Sequence, residues 1–249
     1  MSLDSNIEWK RWAKADPLWA VSAWPNKAKG AVAPWSDDEF YAFGEGDWQD
    51  FHHHWRQYGV RYDSCLELGC GAGRLTGPLA VAFDKVYAVD VAQDMIDYVR
   101  SRLAAGNVTY FLTDGLHLPQ NDGSVTAVFS THVFQHLDSA NIGFLYFQEA
   151  YRVLAVGGTL MVHLPVYRFP YRGRGGGMVL AGAYGLLRRA DDAWCRLRRS
   201  LGGMIMRNTQ YEIEELCAKL ISLGYKRIEV RIVPTASNGH FHPFVLAAK

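Results

Sequence analysis

The chain has 249 residues, of which 49% are apolar and 20% are charged, so it can bury the core of one α/β domain. A formal net charge of +1 gives no general attraction to nucleic acid, and the four scattered cysteines predict neither a disulfide framework nor a zinc site. The N-terminal residues are polar and Trp-rich rather than signal-like, and no apolar run has the length of a membrane span, which predicts a cytoplasmic protein.

Along the chain, a Trp-rich N-terminal segment precedes a regular alternation of strand and helix patterns. Residues 1–60 predict a helical cap, with helices near 36–43 and 46–58 packed over a ligand cleft. The alternation predicts an α/β fold with a doubly wound, mostly parallel seven-stranded sheet. The strands are expected at 64–68, 85–90, 108–112, 125–130, 159–164, 226–233 and 241–248. The helices are expected at about 74–83, 93–103, 139–154 and 210–223, with glycines 157–158 and 224 ending the last two.

A glycine-rich loop follows the first predicted strand. It places glycine at positions 69, 71 and 73, two residues after Glu67. Glycines let the backbone adopt positive φ and allow a ligand to lie directly against it. The dinucleotide-binding fingerprint needs glycine at the first, third and sixth positions, and Arg74 occupies the sixth. The spacing therefore argues against a nicotinamide dinucleotide site.

Polar side chains also follow the next three strands. Asp90 ends the second strand, Asp114 follows the third, and Ser130 ends the fourth shortly before His132. In an open parallel sheet, ligands bind outside the carboxyl ends of the strands. A carboxylate at residue 90 could accept hydrogen bonds from both hydroxyls of a ribose.

Five segments together resemble class I S-adenosylmethionine (SAM)-dependent methyltransferases. They are residues 66–76, 86–96, 113–119, 128–137 and 149–165. The resemblance implies SAM as cofactor and S-adenosylhomocysteine as product. It implies that Glu67, Gly69, Gly71 and Gly73 face the methionine part of SAM and that Asp90 holds the ribose. It also implies that Val91 and Met95 flank the adenine and that Asp114, Gly115 and Leu116 contact the adenine edge. Ser130 and His132 are implied to border the sulfonium.

Two of the acidic positions have simpler interpretations. Asp90 could be the N-cap of the following helix, where aspartate is favoured. Asp114 precedes a glycine, which is a common turn pair.

The acceptor and the general base stay open at this point. His132, His136 and His163 are candidate bases because each lies near the end of the fourth or fifth strand, and His136 could instead be structural. The His52–His54 run is not expected to bind a metal, since consecutive helical residues point in different directions. No metal site is predicted.

An arginine-rich insert separates the fifth strand from the last helix. Residues 166–207 contain nine arginines and two aspartates, a net charge of +7. We expect a lid over the acceptor, hinged at 173–177. Three interpretations compete: arginines that pair with an anionic acceptor, an amphipathic helix at 178–201 that touches a membrane surface to collect a lipophilic acceptor, or a solvated lid.

The sequence thus predicts a single methyltransferase domain over 1–249. Its parts are the cap at 1–60, the SAM-binding core at 61–165, the lid at 166–207, and a C-terminal helix and strand pair at 208–249. The predicted reaction is methyl transfer to an O, N or C atom of a small-molecule acceptor, with no nucleic acid partner. A non-catalytic protein that binds SAM or S-adenosylhomocysteine, and an NAD-dependent oxidoreductase, are the alternatives.

Overall fold

The computed structural model describes residues 3–168, 193–194, 197–198 and 205–249. Its strands are β1 (Cys65–Leu68), β2 (Val86–Asp90), β3 (Val108–Leu112), β4 (Val125–Ser130), β5 (Leu154–His163), β6 (Val166–Tyr167), β7 (Tyr211–Glu212), β8 (Lys226–Pro234) and β9 (Phe241–Ala248). Its helices are α1 (Asp4–Ala15), α2 (Pro17–Val21), α3 (Asp37–Tyr58), α4 (Thr76–Ala82), α5 (Gln93–Arg102), α6 (Ala140–Val153) and α7 (Ile213–Leu223).

Seven strands form one sheet in the order β3-β2-β1-β4-β5-β9-β8. β1 to β5 are parallel, whereas β9 runs antiparallel to both β5 and β8. Every residue of β1 and β4 is buried, as expected for central strands covered by helices on both faces. The predicted α/β fold with a seven-stranded, mostly parallel sheet and a final antiparallel pair is confirmed.

Helices cover both faces of the sheet. On one face, α6 and α7 pack through Phe147 and Leu220 against β1, β4 and β5. On the other, α3 packs through Phe51 and Trp55 against Phe129 and its neighbours. The indole of Trp55 also donates a hydrogen bond of 3.1 Å to the hydroxyl of Thr159, a residue of β5. α3 is therefore a layer of the core.

The N-terminal helices differ from the prediction. Two helices were expected at 36–43 and 46–58, but α3 is continuous. A capping box between Ser36 and Glu39 starts it, and Gly59 ends it with a φ of 101°. Gly44 does not break the helix; a Cβ there would lie 2.1 Å from the Arg74 carbonyl oxygen. Glycine at this position reflects close packing, which a sequence pattern does not distinguish from a helix end.

The predicted end of α6 at Gly157–Gly158 is also wrong. α6 ends at Val153, and β5 begins at the next residue and runs through both glycines. The pairing of β4 with β5 is irregular here: Val125 pairs with Leu154, and Ala127 pairs with Thr159. Gly157 has a φ of 75°, so the glycines permit a bulge in β5 rather than the end of a helix.

The insert at 166–207 lies largely outside the described residues, and with it the hinge at 173–177 and most of the helix expected at 178–201. The domain boundaries stay predictions. Among the described helices, none is both long and apolar enough to span a bilayer.

Candidate functional site

A cavity of about 470 Å³ opens at the carboxyl ends of the central strands. Its floor is formed by the glycine loop and by the ends of β1 and β2, and α1, α2 and the segment after α2 cover it. The C-terminal part of the chain contributes Met206 and the loop between β8 and β9. The predicted residues that line it are Gly69, Gly71, Asp90, Val91, Met95, His132 and His136.

The glycine loop turns sharply beside this cavity. Gly69 and Gly71 have φ values of 72° and 52°, in the region that residues with a Cβ rarely adopt. A Cβ would also lie 2.3 Å from a Val133 methyl at residue 69 and 2.6 Å from a Val21 methyl at residue 71. Gly73 shares the positive φ but is not among the residues that line the cavity. The loop therefore brings backbone close to the cavity where side chains would collide.

Asp90 connects the end of β2 to the loop. One carboxylate oxygen accepts a hydrogen bond of 2.9 Å from the Gly71 amide, and the other accepts one of 2.9 Å from the Ala92 amide. Burial raises the pKa of Asp90 in spite of these bonds. Each oxygen retains capacity for one more donor, so the carboxylate can still receive two hydroxyls from the cavity.

Glu67 and Ser130 lie behind the loop and are not among the lining residues. Glu67 is buried and accepts a hydrogen bond of 2.7 Å from the Thr76 hydroxyl, and burial raises its pKa to about 7. Ser130 is fully buried and donates to the Leu68 carbonyl oxygen at 2.9 Å. In this arrangement both side chains hold the strand ends rather than face the cavity.

The turn after β3 uses its acidic side chain internally. Asp114 accepts from the amides of Leu116 and His117 and from the His117 ring, each at 2.8 Å, and the His117 hydrogen bond lowers its pKa to about 2. Asp114, Gly115 and Leu116 do not line the cavity, whereas Thr113 does. The Asn6 amide donates to the Asp114 carbonyl oxygen at 2.8 Å, so α1 covers this turn.

Arg74, the residue that follows the last loop glycine, also lines the cavity, which the glycine spacing did not predict. Its side chain is 3% exposed and forms an ion pair with the buried carboxylate of Asp47. Among the described residues, Nε and Nη2 of this guanidinium have no hydrogen-bond partner. A buried cation with two free donors on a cavity wall is suited to bind an anionic group.

His136 is the candidate base with both ring nitrogens engaged. Nδ1 donates to the Arg207 carbonyl oxygen at 2.7 Å, and Nε2 accepts from the Gln135 amide at 2.9 Å. Burial lowers its pKa to about 4, and the Trp9 indole packs edge-on against its ring. This geometry favours a structural role.

The structure brings His132 and His163 together with a third ring, His242 of β9. The ring centroids lie 4.5 Å apart for His132 and His163, and 5.3 Å apart for each of these with His242. Burial and the neighbouring cations lower the pKa of His163 to about 3 and that of His242 to about 4, and they lower the pKa of His132 as well. All three rings are thus neutral at neutral pH. His132 and His242 line the cavity, and His163 does not.

Sequence reasoning missed several lining residues. Asn6, Trp9 and Trp24 come from the N-terminal segment, where only the abundance of tryptophan signalled a ligand-covering role. His242 gave no signal at all, because its meeting with His163 depends on the antiparallel pairing of β9 with β5.

Comparisons with known proteins agree with this architecture. Residues 66–162 match a family described as "Methyltransferase domain". A probable S-adenosylmethionine-dependent methyltransferase of Mycobacterium tuberculosis is 36% identical over 101 residues, which cover 40% of this chain and 35% of that protein. The malonyl-[acyl-carrier protein] O-methyltransferase of Yersinia pestis is 32% identical over 96 residues, covering 39% of this chain and 34% of that protein.

The matched region, residues 66–162, is a SAM-dependent methyltransferase domain.

Solved structures of this family share its fold. A SAM-dependent methyltransferase from Aquifex aeolicus superposes with a TM-score of 0.53 at 18% identity, over 86% of this chain and 98% of that one. Phosphoethanolamine N-methyltransferase 1 of Haemonchus contortus, solved with phosphoethanolamine and S-adenosylhomocysteine, gives a TM-score of 0.61 at 18% identity, over 98% of this chain and 48% of that one.

The matches confirm the predicted family, its Rossmann-like fold and SAM as its cofactor. The sequence alignments span only about a third of the length of these curated relatives. The roles of individual residues in this methyltransferase stay predictions.

Proposed function

We propose that this protein transfers the methyl group of SAM to a small-molecule acceptor bound in the same cavity. One observation supports this most directly: the same cavity is lined by Gly69, Gly71 and Asp90 and also by His132 and His242. Its volume of about 470 Å³ falls in the usual range for small-ligand sites.

The described residues fit SAM in three places. We assign the Asp90 carboxylate to the ribose hydroxyls and Val91 and Met95 to the adenine, because all three residues line the cavity. The two free donors of Arg74 suit the methionine carboxylate, since guanidinium groups bind carboxylates through paired hydrogen bonds. Under this assignment Glu67 and Ser130 support the loop from behind, and Thr113 replaces Asp114 as the polar side chain near the adenine.

When bound, SAM supplies a methyl group on a positively charged sulfur, which departs as the neutral sulfur of S-adenosylhomocysteine. The protein then has to align the acceptor and exclude water, and positioning of this kind contributes about 7–11 kcal/mol. α1 and α2 cover the cavity and so shield it. His132 is the candidate base that lines the cavity, and its neutral ring could take a proton from an acceptor hydroxyl or ammonium group.

Aromatic side chains favour an acceptor with an apolar part. Trp24 stacks on His240 with ring centroids 4.9 Å apart and meets Phe43 edge-on at 5.7 Å, and all three residues line the cavity. The methylated atom is proposed as O, N or C. Named relatives include both an O-methyltransferase and an ajmaline N-methyltransferase, so family membership does not select among these.

Residues 166–207 are proposed as a lid over the acceptor. The end of this segment supports the idea, because Met206 lines the cavity and the Trp12 indole donates to the Ile205 carbonyl oxygen at 3.0 Å. Deleting residues 173–203 should spare SAM binding and abolish turnover. Turnover that survives the deletion would remove the lid from the proposal.

The function is tested by binding and turnover together. Calorimetry should show binding of SAM and S-adenosylhomocysteine and none of NAD. Cell extract should then be separated by ultrafiltration into small-molecule and macromolecular fractions, and each incubated with protein and SAM. We expect S-adenosylhomocysteine to form with the small-molecule fraction, and not with the Asp90→Ala variant. Formation only with the macromolecular fraction would reject a small acceptor, and binding without turnover in either fraction would favour a non-catalytic SAM-binding protein.

A further inference from the structure

Three histidines from three different strand ends meet beside the cavity. His163 is the last residue of β5, His242 lies in the adjacent β9, and His132 follows β4. Each ring offers a nitrogen, and these three nitrogens lie within 4.8 Å of one another. Among the described residues, no other group of three histidine, cysteine or acidic side chains has this arrangement.

Ordinary packing does not account for the cluster. Buried polar atoms in proteins almost always have hydrogen-bond partners. His242 is 6% exposed, yet its Nε2 has no partner among the described residues. Nδ1 of His163 accepts a hydrogen bond only from the His132 amide among the described residues. The nitrogen–nitrogen distance is 3.4 Å, which is longer than the usual range of about 2.7–3.2 Å. Lone pairs of buried rings are therefore poorly satisfied by the protein itself.

His132 adopts an uncommon backbone conformation at this point. Its φ of 57° lies in the left-handed region, which residues other than glycine enter infrequently. Such conformations cluster at functional sites, where the surrounding structure holds them in place. Here the conformation accompanies the approach of the His132 ring to His163 and His242.

We propose that His132, His163 and His242 form a binding site for a divalent transition-metal ion such as Zn²⁺. Imidazole nitrogens suit zinc and related first-row metals, and three protein ligands with one open position are the usual arrangement at catalytic zinc sites. Because His132 and His242 line the cavity, the fourth position would face the bound acceptor.

The geometry requires a modest closure of the rings. Zinc–nitrogen distances of about 2.0–2.1 Å in a tetrahedral site place the nitrogens about 3.4 Å apart. From the observed limit of 4.8 Å, the rings would have to approach by at most about 1.5 Å. His132 is the half-buried member and follows a strand rather than lying within one, so it is the ring best placed to move.

The charges nearest the cluster are of opposite sign and partly cancel. Arg74 is the nearby cation, and its ion pair with the buried carboxylate of Asp47 offsets its charge. Asp47 also accepts hydrogen bonds from Ser237 and Asn238, at 2.6 and 2.9 Å.

A metal at this position would select acceptors with an oxygen ligand, such as a hydroxyl or a carboxylate group. This selection of acceptors rests on the proposed methyltransferase function, whereas the metal site itself does not. With metal bound, His132 is a ligand instead of a base.

The test measures metal binding to the full chain, prepared without a polyhistidine tag and stripped with a chelator. Zn²⁺ is titrated in competition with a chromophoric chelator, and Co²⁺ absorption in the visible region reports nitrogen coordination. The variants are His242→Gln and His132→Asn; asparagine tolerates the left-handed conformation. His53→Ala, in the exposed part of the histidine run on α3, is the matched control.

We expect one equivalent of Zn²⁺ to bind to the wild-type chain and to the His53 variant. Binding should weaken at least about 100-fold in both cluster variants, because loss of even an outer-shell partner costs 10–100-fold. Zn²⁺ should raise Tm only where it binds. No saturable binding, or binding that persists in both cluster variants, overturns the site. SAM calorimetry on the same samples separates this result from failure of the proposed function.

Discussion

The Asp90 carboxylate accepts a 2.9 Å hydrogen bond from the Gly71 amide, so the end of β2 holds the glycine loop that follows β1. The two strands are adjacent and parallel, which brings these residues together at one edge of the sheet. Asp90 also lines the cavity, so a change at this side chain should alter both the shape of the loop and the binding of a ligand.

Replacing Asp90 with alanine should therefore weaken SAM binding at least about 10-fold, because hydrogen bonds to a charged group contribute roughly 1.5–3 kcal/mol each. Calorimetry measures the Kd. Asp94→Ala, at an exposed position of α5, should leave the Kd unchanged. An Asp90 variant with the wild-type Kd would discredit the ribose assignment.

Arg74→Lys tests the methionine end of the site. Lysine keeps the charge opposite Asp47 but lacks the planar pair of donors, so S-adenosylhomocysteine should bind about 10-fold more weakly. 5′-Methylthioadenosine has no carboxylate and should bind both forms equally. If both ligands lose affinity to the same extent, Arg74 supports the fold instead of binding the carboxylate. Arg61→Lys, on the surface, is the control.

Gly69→Ala should lower both stability and SAM affinity. Alanine at a φ of 72° costs about 1–2 kcal/mol, and its Cβ would lie 2.3 Å from the Val133 side chain. Gly30→Ala provides the matched control, because Gly30 has a φ of 83° with no atom within 4 Å of its Cβ position. Chemical denaturation should show a smaller loss for the Gly30 variant; equal losses would show that the contact with Val133 is unimportant.

The buried Glu67 should make stability depend on pH. Its folded pKa is about 7 against an ordinary value of 4.5, so the folded state holds the proton more tightly than the unfolded state. The contribution of Glu67 to the free energy of unfolding should then fall by roughly 3 kcal/mol as the pH rises from about 4.5 to 7.

Glu67→Gln removes this dependence and can retain the Thr76 hydrogen bond. In urea denaturation, the variant should gain stability relative to wild type between pH 5 and pH 8. The exposed Glu45→Gln change should show no such trend. A constant difference between Glu67→Gln and wild type across this range would contradict the raised pKa.

The sequence predicts the central sheet well because its signals are local. β3 and β4 have the predicted bounds, and the glycine loop joins β1 to α4 as expected. α1 and α2 were not predicted, because α1 is mostly polar and α2 has only five residues. Gly157 and Gly158 were wrongly predicted to end α6, because Gly157 permits a bulge in β5.

The site was predictable only where it lies next to a strand end in sequence. Asp90, Gly69 and Gly71 line the cavity, but Asp114 turns toward its own loop and Glu67 toward Thr76. Side-chain direction depends on partners that spacing alone does not reveal. His242 and Asn6 reach the cavity through long-range pairing and through packing of the N-terminal helices, which no local motif encodes.

α3 gives the N-terminal 60 residues two unequal parts. Residues 37–58 shield Phe129 and Phe244 from water and contribute Phe43 and Asp47 to the cavity, whereas the segment before Ser36 only covers the cavity. A shortened chain that starts at residue 60 would expose an apolar face of the sheet, which favours aggregation. It would also leave Arg74 without its ion-pair partner Asp47. A chain that lacks only residues 1–35 should still fold, and its cavity would be open to solvent. Under the proposed function, exchanging that first segment between related enzymes should change acceptor choice and leave the sheet intact.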